Sequence, residues 1–317
     1  MEILKIENLN LAFNLQSGQF QALYDVNLKL EVGKTLAVVG ESGCGKTLTA
    51  MSILRLIPNT AKIISGKIIY KDQDLLKFSE KKMQKIRGKH IALIPQDPMT
   101  SLNPLYTIGE QILEIVELHQ QLTGIKAEEA AILALEKVKI PNAKERLKNY
   151  PHEFSGGMRQ RVIIAMALAC NADIIIADEP TTALDVTVQA QIMDLLNEIK
   201  VKYNTSIILI SHDLGLVAEN AEDIAVMYAG SIIEYSTNDE LFKNPKHPYT
   251  QALLNSLPDI NTKTLETIKG QPPSIKENLI GCPFAPRCLH CMDICKKNNP
   301  PIKSIENNYM VKCFLYT

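Results

Sequence analysis

Gly40-Glu41-Ser42-Gly43-Cys44-Gly45-Lys46-Thr47 is the stretch on which the fold turns. It fits the pattern of a phosphate-binding loop, and its neighbours supply the strand, loop, helix context that such a loop requires. The apolar run Leu36-Ala37-Val38-Val39 before it predicts a buried strand, and Leu48 to Ile57 after it predicts a helix. Gly40, Gly43 and Gly45 tolerate backbone angles closed to other residues, so the successive amides of this loop, with Ser42 and Cys44 between the glycines, can point inward around phosphate oxygens. Lys46 then places its ammonium between the β and γ phosphates, and the Thr47 hydroxyl is positioned to ligate magnesium.

More than a hundred residues later comes Phe154-Ser155-Gly156-Gly157-Met158-Arg159-Gln160-Arg161. A serine and paired glycines, opening an amphipathic helix predicted from Met158 to Ala169, offer a hydroxyl and helix-start amides to an anion. The first motif already holds one set of phosphates, so the second is read as serving a nucleotide held by another subunit. Between them, Ile108, Ile112, Ile115 and Val116 follow helical spacing, and the Glu-, Gln-, Ala-, Lys- and Leu-rich stretch from Thr107 to Pro151 predicts an inserted helical subdomain. Asp97 to Pro104, with two prolines and small polar residues, reads as a mobile loop.

Ile174-Ile175-Ile176-Ala177 predicts a parallel strand buried on both faces, and it runs straight into Asp178-Glu179-Pro180. Ligands of α/β sheets bind at the carboxyl ends of strands, so these two carboxylates sit where chemistry is expected. Asp178 would hold magnesium through water and Glu179 would polarise the attacking water, since phosphoryl transfer depends chiefly on positioning and charge stabilisation. A further buried run, Ile207-Ile208-Leu209-Ile210, ends in Ser211-His212-Asp213, which makes His212 a candidate γ-phosphate sensor. Val188, Ile192, Leu195, Leu196 and Ile199 share one helical face, while Val26, Leu28, Leu30 and Val32 alternate as in a half-solvated antiparallel strand. Ile63-Ile64-Ser65-Gly66-Lys67-Ile68-Ile69-Tyr70 reads as a strand interrupted by glycine, and Ile224 to Met227 with Ile232-Ile233 as the last core strands.

In this order the motifs resemble the ATPase subunit of ABC transporters, over nearly the whole chain. The resemblance implies a P-loop NTPase, RecA-like α/β core with an antiparallel β subdomain, an inserted α-helical subdomain at about 97–160 and a small cysteine-containing C-terminal region. It makes 40–47 the Walker A loop, Gln96 the Q-loop glutamine that senses magnesium and γ-phosphate, Ser155 to Gln160 the signature motif and Asp178 with Glu179 the Walker B pair. Ala183-Leu184-Asp185 becomes the D-loop, His212 the switch histidine and Phe13 the aromatic on adenine, a place that Phe20 or Tyr24 could also fill. The implied cofactors are ATP and Mg2+, with each nucleotide sandwiched between the Walker A loop of one subunit and the signature of the other.

Three stretches resemble the oligopeptide and dipeptide importer branch: 96–104 (Gln-Asp-Pro-Met-Thr-Ser-Leu-Asn-Pro), 247–254 (His-Pro-Tyr-Thr-Gln-Ala-Leu-Leu), and Gly270-Gln271-Pro272-Pro273-Ser274 with Gly281-Cys282-Pro283-Phe284-Ala285-Pro286-Arg287-Cys288. The Gln-Pro-Pro-Ser form resembles the D-type subunit, which implies a homologous F-type ATPase partner, two transmembrane permeases and an extracytoplasmic solute-binding protein. Nickel and opine importers share much of this pattern, and ABC ATPases of DNA repair, chromosome organisation and translation are the non-transport alternative. The expected division is an ATPase domain at 1–245 and a C-terminal transporter-type region at 246–317.

Composition narrows the setting. With 46% apolar residues in 317 the chain buries a full core. Its 34 basic and 35 acidic residues leave a formal charge of -1, which gives no sign of a nucleic-acid surface. The longest uninterrupted apolar stretch, Val162 to Cys170, is about half the length of a membrane span. Neither that nor the start Met1-Glu2-Ile3-Leu4-Lys5-Ile6 suggests a span or a signal peptide, so a peripheral place on the cytoplasmic face of the cell membrane is expected.

Five of the seven cysteines, Cys282, Cys288, Cys291, Cys295 and Cys313, crowd the last part of the chain. In a reducing compartment clustered cysteines more often bind metal than form disulfides. Structural zinc is one reading and buried free thiols another. The resemblance of this tail to the importer branch implies a [4Fe-4S] cluster on Cys282, Cys288, Cys295 and Cys313, with Cys291 spare.

Overall fold

The computed structural model describes residues 1–182, 184–256, 268–274, 277, 280–306 and 308–317. Ala183 of the expected D-loop lies outside them. The chain forms two compact units, Met1–Lys77 with Leu209–Thr317, and Phe78–Ile208.

The first unit opens with the long antiparallel strands β1 (Glu2–Leu15) and β2 (Gly18–Glu31), where Val26, Leu28 and Leu30 point inward as their alternation predicts. Val32 falls just past the end of β2. Next come β3 (Thr35–Val39), buried at every position, and α1 (Lys46–Leu54), which ends three residues sooner than the sequence suggests because Arg55 turns left-handed as its cap. β4 (Ala61–Tyr70) pairs with β1 and carries the short β5 (Gln73–Asp74). Gly66 does not interrupt β4. The register shifts around Asn8 of β1, and a Cβ on Gly66 would stand 2.6 Å from the Asn8 carbonyl oxygen, so this glycine lets the two backbones close at a bulge.

The second unit begins with α2 (Glu80–Ile86) and β6 (Ile91–Ile94). The stretch read as a mobile loop contains a helical turn, α3 (Pro98–Ser101), capped by the Asp97 carboxylate on the Met99 amide at 2.8 Å. The Gln111 amide group fixes its exit by bonding both the N–H and the carbonyl of Asn103. α4 (Ile108–Gln120), α5 (Ile125–Lys137) and α6 (Ala143–Arg146) form the expected helical region. Thr107 and Glu110 close a reciprocal capping box at its entrance. α7 (Gly156–Leu168) leads to β7 (Ile174–Asp178), which is wholly buried and parallel to β6. α8 (Val186–Tyr203) buries Ile192, Leu195, Leu196 and Ile199, the face read from their spacing. β8 (Ser206–Ser211) carries the chain back to the first unit.

There α9 (Leu214–Asn220) precedes β9 (Asp223–Tyr228), parallel to β3, and β10 (Ser231–Thr237), antiparallel to β9. After α10 (Asn238–Lys243), α11 (Pro248–Asn255) and α12 (Asp293–Lys297), the last strands β11 (Lys303–Glu306) and β12 (Tyr309–Val311) extend this sheet, β12 pairing with β10. Glu234, 1% exposed, fastens them: its carboxylate accepts from the Lys246 and His247 amides and from the Tyr309 hydroxyl.

His247, 2% exposed, accepts the Tyr249 amide on Nδ1 and so caps α11. Burial lowers its pKa to about 3. The unfolded imidazole protonates near pH 6.5. Below that pH the unfolded chain therefore binds more protons, so stability is fully present above pH 6.5 and falls toward pH 3, by at most about 1.4 kcal/mol per pH unit. His247→Asn keeps a capping oxygen and cannot titrate, and its unfolding midpoint should fall less than that of the wild type between pH 7 and pH 5. Parallel pH profiles would show that His247 is not the titrating group.

Candidate functional site

The expected nucleotide residues divide between the units. Phe13, the 40–47 loop and His212 belong to the first, and Gln96, Ser155 to Gln160, Asp178, Glu179 and Asp185 to the second.

In the first unit the loop leaves the buried end of β3 and enters α1 at Gly45. Gly40 is the tight point: its φ is 153°, and a Cβ there would lie 2.2 Å from the Met227 carbonyl oxygen of β9. No side chain fits, which presses the loop backbone onto the sheet and leaves its outer side for a ligand. Lys46 is 5% exposed, and its Nζ donates to the carbonyls of Gly40 at 2.8 Å and Glu41 at 3.1 Å. Ser42, Gly43 and Thr47 stand exposed along the rim, whereas Cys44 is buried and burial raises its thiol pKa. These groups fit a polyphosphate: an ammonium, exposed hydroxyls and a glycine-bounded run of backbone at a helix start. His212 is exposed just after β8, and Phe13 is half-buried on the β1–β2 hairpin opposite Phe20.

In the second unit Asp178 ends β7 at 2% exposure, and Glu179 follows with φ at 48°. That left-handed angle is rare for a residue with a Cβ and carries strain of order 1–3 kcal/mol. It turns the carboxylate so that Oε2 accepts from Gln96 Nε2 and from Thr182 Oγ1, each at 3.0 Å. The sequence places Gln96 and Glu179 in the same site and gives no signal of this direct bond. Ser155 is the N-cap of α7, accepting the Met158 amide at 3.4 Å, and with Gly156 it lies exposed. Gly157 fits against α8, where a Cβ would stand 2.7 Å from Val188 Cγ1. Gln160, one turn on, is 1% exposed, so its side chain faces the interior. Asp185 caps α8 by accepting the Val188 amide at 3.0 Å.

The iron-sulfur expectation is corrected by the structure. Among the described residues, which include Cys282, Cys288, Cys295 and Cys313, no group of three or more His, Cys, Asp or Glu side chains could hold a metal ion. All seven cysteines are free. The void beside these four, lined also by Pro248, Phe284 and Phe314, is about 10 Å³, enough for about one water. Burial raises the thiol pKa of Cys282 to about 11 and lifts those of Cys288 and Cys313, whereas cluster ligation needs thiolates. These side chains fill an apolar pocket, and backbone bonds such as Cys282 N–H to the Cys295 carbonyl at 2.7 Å hold the segment.

No helix among the described residues is long and apolar enough to cross a membrane. Residues 23–182 match the ABC transporter family, and residues 233–295 match the oligopeptide/dipeptide transporter C-terminal region. The dipeptide transport ATP-binding protein DppD of Bacillus subtilis is 47% identical over 99% of this chain and 95% of its own. The oligopeptide transport ATP-binding protein OppD of Salmonella typhimurium is 46% identical over 98% and 93%. Among solved structures, the dimeric post-hydrolysis state of the ATP-binding cassette MJ0796 bound to ADP and Pi aligns with TM-score 0.66 and 26% identity, covering 74% of this chain and 98% of that one. The fold is thus the P-loop NTPase cassette, and the chain belongs to the ATP-hydrolysing ABC transporter subunits of the oligopeptide/dipeptide family.

Proposed function

We propose that this chain powers the import of oligopeptides or dipeptides by hydrolysing ATP at the cytoplasmic face of the cell membrane. The observation that carries this reading is the match of residues 233–295 to the peptide-transporter C-terminal region, on a chain that aligns nearly end to end with named peptide transport proteins. The proposed organisation is an ATPase domain at 1–245, with helices inserted at about 97–160, followed by a transporter-type region at 246–317.

Phe13 would stack on adenine, the 40–47 loop would hold the phosphates, and Gln96 and His212 would read the γ-phosphate. Thr47, Gln96 and Asp178 would hold magnesium, which supplies charge to the phosphate oxygens. Glu179 would accept a proton from the attacking water. Ser155, Gly156 and Gly157 would present the hydroxyl and first amides of α7 to the nucleotide of a partner, with Gln160 packing that helix and Asp185 at the subunit contact. A homologous F-type ATPase is the proposed partner in this sandwich.

Two transmembrane permeases and an extracytoplasmic binding protein complete the proposed assembly. Support for the permease contact comes from the second unit. It carries a groove of about 280 Å³ lined by Pro95, Ile115, His119, Ile163 and Met166, and it exposes Met99, Leu105 and Tyr106. Apolar side chains left open at this density suit a docked helix.

The test is uptake in a strain lacking this subunit, complemented by the intact gene. Accumulation of labelled di- or oligopeptides should return with the gene. Return of nickel-chelate uptake without peptide uptake would sink the peptide assignment.

A further inference from the structure

A carboxylate is electrostatically misplaced in a loop that must receive a polyphosphate, yet Glu41 sits between Gly40 and Ser42. Its charge is met by a residue 246 positions away. Arg287 donates two parallel bonds, Nη1 to Oε2 at 2.7 Å and Nη2 to Oε1 at 2.8 Å. The pair is largely shielded, with side-chain exposures of 5% for Arg287 and 24% for Glu41.

The guanidinium is itself fixed. Nε donates to the Lys269 carbonyl at 3.0 Å, and Nη1 also donates to the Tyr228 hydroxyl at 3.2 Å. Glu41 is held at its other groups too: its amide donates to the Tyr249 hydroxyl at 3.0 Å, and its carbonyl accepts from Lys46 Nζ at 3.1 Å. Phe284, three residues before Arg287, packs edge-on against Tyr228 and Tyr249 with ring centres 5.4 and 5.3 Å apart. One block of three aromatic rings and an arginine therefore joins β9, α11 and the 281–288 segment to a single residue of the phosphate loop.

We propose that Arg287 is a positioning residue for the nucleotide: it cancels the charge of Glu41 and fixes that residue's backbone, so ATP affinity depends on the docked 281–288 segment. The proposal rests on the reading of 40–47 as the ATP phosphate loop. A bidentate fork suits the task, since it sets both charge and orientation of the carboxylate. Without it, an unpaired carboxylate would face the incoming phosphates through a poorly screened medium.

The experiment is binding of the fluorescent analogue TNP-ATP, with ATP competition, to the full-length chain in Mg2+ at low salt, alongside thermal unfolding. Arg287→Ala is expected to weaken ATP binding about tenfold, the scale of one charge-assisted contact. Glu41→Gln added to Arg287→Ala removes the unpaired charge and should return affinity to within about threefold of wild type. A purely structural anchor would not be rescued in that way. Arg287→Lys, which keeps the cation and loses the fork, should fall between wild type and Arg287→Ala. Wild-type affinity in Arg287→Ala, or in Arg287→Lys where Arg287→Ala fails to fold, would overturn the proposal. So would a loss that Glu41→Gln does not relieve. Lys46→Ala separates the two levels: if it binds ATP as wild type does, the phosphate-loop reading fails and takes the proposal with it.

Discussion

Glu179→Gln is expected to cut ATP turnover by about 10² to 10⁴, the contribution of a positioned general base, while ATP still binds. Glutamine keeps the length of the side chain and one acceptor oxygen, so the bonds from Gln96 and Thr182 can persist. It cannot take a proton from water. The backbone supports this placement, because the residue after β7 is held at a φ of 48°, a conformation with a cost that the surrounding turn must impose. Asp178, the neighbouring carboxylate, is no substitute: it is 2% exposed at the strand end, where a metal-directed role suits it better than contact with free water. Single-turnover hydrolysis in the assembled transporter is the measurement. A variant within threefold of wild type would remove Glu179 from the chemistry. Slow turnover with ATP retained in a stable dimer would place the defect after binding, because a γ-phosphate that is not cleaved keeps both faces of the sandwich occupied.

The parts legible in the sequence are those where local pattern and local physics coincide. Leu36 to Val39 and Ile174 to Ala177 are short apolar runs, and both are wholly buried parallel strands. Lys46 at a helix start and Asp178 at a strand end follow from the same context. What escaped was long in range or ambiguous in letter. Tyr309–Val311 is too short for periodicity to declare it a strand, and its pairing with β10 and β11 makes it one. Glu234 looks like a solvent-facing residue of an alternating strand, yet it is buried as a hydrogen-bond acceptor for three groups brought from elsewhere in the chain. The cluster expected on the cysteines rests on the resemblance of the tail, whereas the backbone turns that place Cys282, Cys288, Cys295 and Cys313 leave a void of about one water. Arg287 was visible only as one letter of a tail motif. Nothing near it in sequence announces a partner at position 41.

Lys46→Ala should have its effect at the step before hydrolysis. Loss of a charge-assisted contact to phosphate costs about 1.5 to 3 kcal/mol, which is roughly 10- to 150-fold in nucleotide affinity. The lower part of that range is favoured by the structure. The ammonium already donates to the carbonyls of Gly40 and Glu41, so a phosphate gains its bond in competition with two good acceptors. The same bonds imply a second effect. Alanine removes the lysine donor from the Gly40 carbonyl, at a point where Gly40 is pressed onto β9, and leaves the Glu41 carbonyl with only the Cys44 amide at 3.3 Å, so the loop should lose about 1 kcal/mol of local stability. Titration calorimetry with ATP and with ADP reads the first effect, and hydrogen exchange of the loop amides reads the second. Because the lysine is placed against the β and γ phosphates, ATP should lose more affinity than ADP. Equal losses for the two nucleotides would put Lys46 at the loop's own structure rather than at the γ-phosphate, and no loss for either would end the reading of 40–47 as a phosphate site. Set beside Glu179→Gln, which binds ATP and cleaves it slowly, a variant whose defect lies in binding would assign the two halves of the reaction to the two units that carry these residues.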